Sequence, residues 1–62
     1  MATFHITKGS NGQYYWNLTS GNGQIIATSG EGFTTKVSAR NGITAVQTDA
    51  ATAPISDDTG EG

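Results

Sequence analysis

The fold class predicted by the 62-residue sequence is α+β: three antiparallel strands, one helix packed on them, and a last short strand. Three observations carry that expectation. Thr3-Phe4-His5-Ile6-Thr7-Lys8 alternates polar and apolar residues, the period of a half-buried strand. Two Asn-Gly pairs, Asn11-Gly12 and Asn22-Gly23, punctuate the chain at hairpin spacing. Further on, Ala39, Ile43, Val46 and Ala50 are spaced 4, 3 and 4 apart and form one stripe on a helix.

In the first strand Phe4 and Ile6 face inward. Gly9-Ser10-Asn11-Gly12 then supplies turn chemistry, because Asn and Gly tolerate positive φ. The second strand, Gln13-Tyr14-Tyr15-Trp16-Asn17-Leu18-Thr19, places Tyr14, Trp16 and Leu18 on one face and Tyr15, Asn17 and Thr19 on the other. Ser20-Gly21-Asn22-Gly23 turns the chain again into Gln24-Ile25-Ile26-Ala27-Thr28-Ser29. A two-residue loop there sets Leu18 opposite Ala27; a three-residue loop over 21–23 sets it opposite Ile26. The second register pairs the larger side chains on the core face and is the one expected. A slip of one residue would turn the whole strand over. The repeated Asn-Gly-Gln marks two turns of a meander and not a repeat array, since nothing similar recurs later.

Gly30-Glu31-Gly32 breaks the third strand, and Thr34 or Thr35 can cap the helix that follows. Asn41-Gly42 leaves two readings open. The pair resembles a helix C-terminus, with Ile43 to Thr48 a β-branched strand beyond it. The Ala39–Ile43–Val46–Ala50 stripe argues instead for one helix through Gly42. That costs about 1 kcal/mol relative to Ala, while the missing side chain admits close packing on the sheet. Val37 then points away from the stripe. Pro54 ends any helix and confines Ala53-Pro54-Ile55-Ser56-Asp57 to an edge or a strand start.

Composition bounds what such a unit can do. Only 34% of residues are apolar, there is no Cys, and the net charge is −2. No disulfide framework or Cys-ligated zinc can staple the fold. Ile25-Ile26-Ala27 is the longest aliphatic run, so no membrane span is expected. The N-terminus lacks the basic and apolar blocks of a signal peptide, which favours the cytoplasm. Three basic residues against five acidic ones match nucleic acid poorly. A chain this short buries only about 60% of its unfolded surface. Without a staple it needs a second protomer or very efficient packing.

The stretches Phe4-His5-Ile6, Gly12-Gln13-Tyr14-Tyr15-Trp16-Asn17-Leu18, Asn22-Gly23-Gln24-Ile25-Ile26-Ala27-Thr28-Ser29, Gly32-Phe33-Thr34-Thr35-Lys36, Asn41-Gly42-Ile43-Thr44-Ala45-Val46 and Ala53-Pro54-Ile55-Ser56-Asp57 together resemble the YegP-like family of small bacterial and archaeal domains. The resemblance implies a βββαβ unit, two of which form one sheet with exchanged C-terminal strands. It also favours the continuous helix. A single copy of the unit implies a homodimer. Phe33 stands where tyrosine is common in the family, and Val37 where alanine is common. Residues 1–57 are expected to form the domain and 58–62 a flexible acidic tail. The expected core and dimer residues are Phe4, Ile6, Trp16, Leu18, Ile26, Phe33, Ile43, Val46 and Ile55.

No catalytic, metal or cofactor set is expected. His5 is alone on a polar-facing strand position, and no serine is matched with a histidine and carboxylate. Asp57, Asp58 and Glu61 read as a solvated end. The Gly-rich segments lack a dinucleotide fingerprint and any following Gly-Lys-Ser/Thr. The leading expectation is a non-enzymatic homodimeric domain with an interaction role that the residues do not assign. The alternative is a ligand- or nucleic-acid-binding module that uses the outer sheet face around Tyr15, Asn17 and Ile25.

Overall fold

A computed structural model describes residues 1–61. Strands β1 (Thr3–Lys8), β2 (Tyr14–Thr19) and β3 (Ile25–Thr28) form an antiparallel sheet in the order β1-β2-β3, followed by helix α1 (Lys36–Asp49) and a 3-10 turn at Ala50–Thr52. The β1–β2 register sets Phe4 opposite Leu18, His5 opposite Asn17, Ile6 opposite Trp16 and Thr7 opposite Tyr15. One sheet face therefore gathers Phe4, Ile6, Trp16 and Leu18. The other carries His5, Thr7, Tyr15 and Asn17.

The two hairpins are built by the same loop. Gly9 N–H donates to Gln13 O at 2.8 Å and Gly12 N–H to Gly9 O at 3.0 Å. Ser20 N–H donates to Gln24 O at 2.8 Å and Gly23 N–H to Ser20 O at 3.0 Å. Each loop closes with a glycine in the left-handed region, Gly12 at φ +82° and Gly23 at φ +89°. This is the three-residue hairpin built on a turn followed by a left-handed residue.

The three-residue loop at 21–23 forms as expected, but the pairing it was expected to set does not. Thr19 faces Ile25, and the register then shifts so that Leu18 faces Ala27 and Asn17 faces Thr28. Ile26 is the extra residue of a β-bulge. Two residues of β3 oppose one step of β2, which breaks the alternation counted from the turn.

Beyond β3 the chain stays beside β2. Ser29 N–H donates to Trp16 O at 2.9 Å, and Trp16 N–H reaches Ser29 Oγ at 3.3 Å. Tyr14 and Phe33 then exchange both backbone hydrogen bonds, each 2.8 Å. Helix α1 starts at Thr35, whose Oγ1 accepts from Ser38 N–H at 3.0 Å, as an N-cap does. It continues through Gly42, so no strand forms over 43–48. The reason lies in the packing: a Cβ on Gly42 would stand 3.2 Å from Trp16 Nε1 and 3.3 Å from Phe33 Cζ. Glycine lets the helix backbone press directly on those two rings.

The core is small. Trp16, Ala39 and Ile43 are its buried members, and Phe4 meets Trp16 edge to face with ring centroids 5.5 Å apart. Helix α1 packs on β1 and β2 and, among the described residues, not on β3. Past Val46 every described helix residue is exposed, so Ala50, on the stripe by spacing, is uncovered. Ala53 is extended ahead of Pro54, as a residue before proline tends to be. Residues 53–57 run on without a strand partner, so the fourth strand of the expected order is not formed within one chain. The radius of gyration is 13.6 Å, against about 11 Å for a compact domain of this length, and the longest extent is 43 Å.

Candidate functional site

The residues expected to form the core and dimer surface divide into two groups. Trp16 and Ile43 are buried, while Phe4, Ile6, Leu18, Phe33 and Val46 are half-buried around them. Ile26 and Ile55 are not brought into that group. The bulge leaves Ile26 59% exposed, and Ile55, on the segment after Pro54, is 96% exposed. Ile25 is also exposed, so β3 presents two aliphatic side chains on a strand that the helix does not cover. Val37 is exposed near the start of the helix, away from the stripe.

On the opposite face, Tyr15 is tied down by its own hairpin. Its hydroxyl accepts from Asn11 Nδ2 at 2.9 Å, and its ring edge lies where a Cβ on Gly9 would stand only 2.8 Å away. Asn17 sits between His5 and Thr28 across the strands. Its Oδ1 is enclosed and has no hydrogen-bond partner. Ile25 faces Thr19 in the register, and His5 Nε2 lies 3.2 Å from Thr19 Oγ1. This face is thus lined with threonine, histidine, asparagine and tyrosine. Lys8 Nζ stands 5.5 Å from the centre of the Tyr14 ring, a cation–π distance.

At the C-terminal end, Asp57 Oδ1 accepts from Thr59 N–H at 3.1 Å and from Thr59 Oγ1 at 2.7 Å. The Thr59 hydroxyl, and then its backbone N–H, hold the Asp57 carboxyl below its ordinary range. Gly62, placed by sequence in the acidic tail, lies outside the described residues. Among the described residues there is no group of three metal-ligating side chains, no pocket, and no helix long and apolar enough to cross a membrane.

Ser29 and the bulge at Ile26 were not read from the sequence. A polar residue ending a strand and two consecutive isoleucines carry no signal for a register shift. Trp16 Nε1, enclosed without a partner against Gly42, was equally hidden.

Sheet order, helix placement and an uncovered C-terminal segment define a small α+β domain of the three-strand, one-helix kind. The chain belongs to the family described as a domain of unknown function, DUF1508, which matches residues 10–57. It is similar to the UPF0339 protein YegP of Yersinia pestis, 50% identical over 44 residues that cover 71% of this chain and 38% of that protein. A UPF0339 protein of Bordetella pertussis is 46% identical over 50 residues, covering 81% of this chain and 44% of its own length. The chain therefore spans about two fifths of the length of the curated relatives it matches. The NMR solution structure of a protein from Haloferax volcanii matches with a TM-score of 0.84 at 36% identity, over 90% of this chain and 93% of that one.

Proposed function

We propose that this chain is a non-enzymatic assembly domain that works as a homodimer, with residues 53–57 of each protomer added as a strand to the sheet of the other. The observation that carries this reading is Ile55, a β-branched aliphatic side chain 96% exposed on an unpaired segment whose first residue, Ala53, is extended. Strand addition would give its free backbone groups partners and cover a sheet edge.

The area agrees with this reading. The chain exposes 4752 Å², whereas a compact monomer of 6.4 kDa exposes about 3,800 Å². The surplus is close to the ~800 Å² per partner that a stable interface covers. Ile26, and Ala50 and Ala51 at the uncovered end of the helix, add apolar surface for the same purpose. The outer face supports a ligand-binding role less well, because Tyr15 is anchored to its own turn and the free oxygen of Asn17 is enclosed.

Light scattering coupled to size exclusion tests the proposal. The wild type is expected at twice 6.4 kDa and Ile55→Asp at 6.4 kDa, with a lower Tm. Within one chain an exposed substitution changes stability by no more than about 0.5 kcal/mol. A variant with unchanged mass and Tm, or a wild type that is monomeric at every concentration, sinks the reading.

A further inference from the structure

Asn-Gly occurs three times, at Asn11-Gly12, Asn22-Gly23 and Asn41-Gly42. It is the dipeptide most open to spontaneous succinimide chemistry. Glycine has no Cβ to keep its backbone nitrogen away from the preceding carboxamide. Three copies in one chain hold the dipeptide constant and let structure choose among them.

Asn41-Gly42 lies inside α1. Its backbone is held in helical dihedrals by the hydrogen-bond ladder. Closing a ring there would break the helix where Gly42 meets Trp16 and Phe33. Asn11 and Asn22 occupy the same position in two loops with the same backbone hydrogen bonds, and both following glycines donate to a carbonyl at 3.0 Å. What differs is the carboxamide. Asn11 is held at both ends: Oδ1 accepts from Gln13 N–H at 3.0 Å, and Nδ2 donates to Gln13 Oε1 at 3.3 Å and Tyr15 Oη at 2.9 Å. The Tyr15 bond fastens it to β2. Among the described residues Asn22 is held only through Oδ1, which accepts from the Ser20 hydroxyl and, at 3.4 Å, from Gln24 N–H. Its amide nitrogen, the group that must leave, makes no hydrogen bond among the described residues, and the residue lies on an exposed loop.

We infer that Asn22 is a site of spontaneous deamidation, and that the Ser20 hydroxyl polarises the carboxamide that reacts. Gly23 N–H loses its proton to hydroxide, and the nitrogen attacks Asn22 Cγ. Negative charge gathers on Oδ1, where the Ser20 O–H donates to it, as a donor in an oxyanion hole does. The Cγ–Nδ2 bond then breaks, and Nδ2 takes a proton from water and departs as ammonia. Water opens the cyclic imide at either carbonyl, leaving aspartate or isoaspartate. Overall, one water is consumed and one ammonia released. The product is one charge more negative, and isoaspartate adds a backbone atom to the loop that leads into β3 and its bulge. This inference stands apart from dimer formation.

Peptide mapping by mass spectrometry of the full chain aged in warm, mildly alkaline buffer tests it, with isoaspartyl methyltransferase labelling to report isoaspartate. The gain of one mass unit is expected at Asn22 several-fold faster than at Asn11, with Asn41 intact. Ser20→Ala is expected to lower the Asn22 to Asn11 rate ratio several-fold, and Ser20→Thr, which keeps the hydroxyl, to preserve it. Faster reaction at Asn11 or Asn41 overturns the site. An unchanged ratio in Ser20→Ala, or a lost preference in Ser20→Thr, overturns the role of the hydroxyl.

Discussion

Ile43 and Ile55 are the same side chain twelve residues apart, and one chain treats them oppositely: Ile43 is 8% exposed and Ile55 96%. The first lies on a helix turn that faces Trp16. The second lies past Pro54, which stops the helix, on a segment without a strand partner. The contrast extends to whole regions. Up to Val46 the chain satisfies itself with two hairpins, a capped helix and a small core. From residue 47 to 61 every position is exposed. Apolar character does not by itself bury a residue; it must also lie on an element whose geometry brings it to another apolar surface.

Substitutions can break or sharpen that contrast. The largest effect is expected for Trp16→Ala, which removes the buried ring that joins Phe4, Gly42 and the helix. Loss of such a residue costs about 3–5 kcal/mol, read in urea unfolding. A loss below the effect of Ile55→Asp would invert the ranking of the two regions. Next comes Gly42→Val, which drives a branched side chain into Trp16 and Phe33 and is expected to cost about 1–3 kcal/mol. Gly42→Ala should do less harm, since a gain of about 1 kcal/mol in helix propensity offsets the crowding.

Thr35→Ala removes the bond to Ser38 N–H and should lower stability by about 1 kcal/mol, with loss of helical circular dichroism. The smallest effect belongs to the exposed region. Thr59→Ala should return the Asp57 carboxyl to its ordinary range in an NMR titration, with no change in Tm. The sign follows from linkage. A depressed carboxyl favours the native state above its ordinary pKa, and that effect fades as pH falls through the lowered value. Asp57 is fully exposed, so the readout is local.

Much of the packed half is legible in the residues. Alternation located β1 and β2, the Asn-Gly pairs located both turns, and the 4-3-4 stripe marked Ala39, Ile43 and Val46 as the inward helix face. Of the expected core and dimer residues, Ile26 and Ile55 lie outside the packed group, Ile26 because of the bulge. Sequence spacing assumes an unbroken two-residue period, and a bulge inserts one residue without any compositional mark. Leu18 consequently faces Ala27. Ala50 escaped for a different reason. Spacing says which side of a helix a residue occupies and says nothing of where the sheet beneath it ends.

The sequence by itself determined the three strands, the start of the helix, their order and their punctuation, because these follow from short-range causes: side-chain period, positive φ at Gly12 and Gly23, the threonine cap and the proline stop. It also separated a chain without a staple from one able to stand on a large core. Local preference at Gly42 is nearly balanced; the family resemblance favours a continuous helix there, and the tertiary structure shows it. Contact with Trp16 and Phe33, residues distant in sequence, accompanies the helical choice. Only the tertiary structure decided the β3 register and the exposure of Ile55. Each depends on which surfaces meet in space, and no count along the chain contains that.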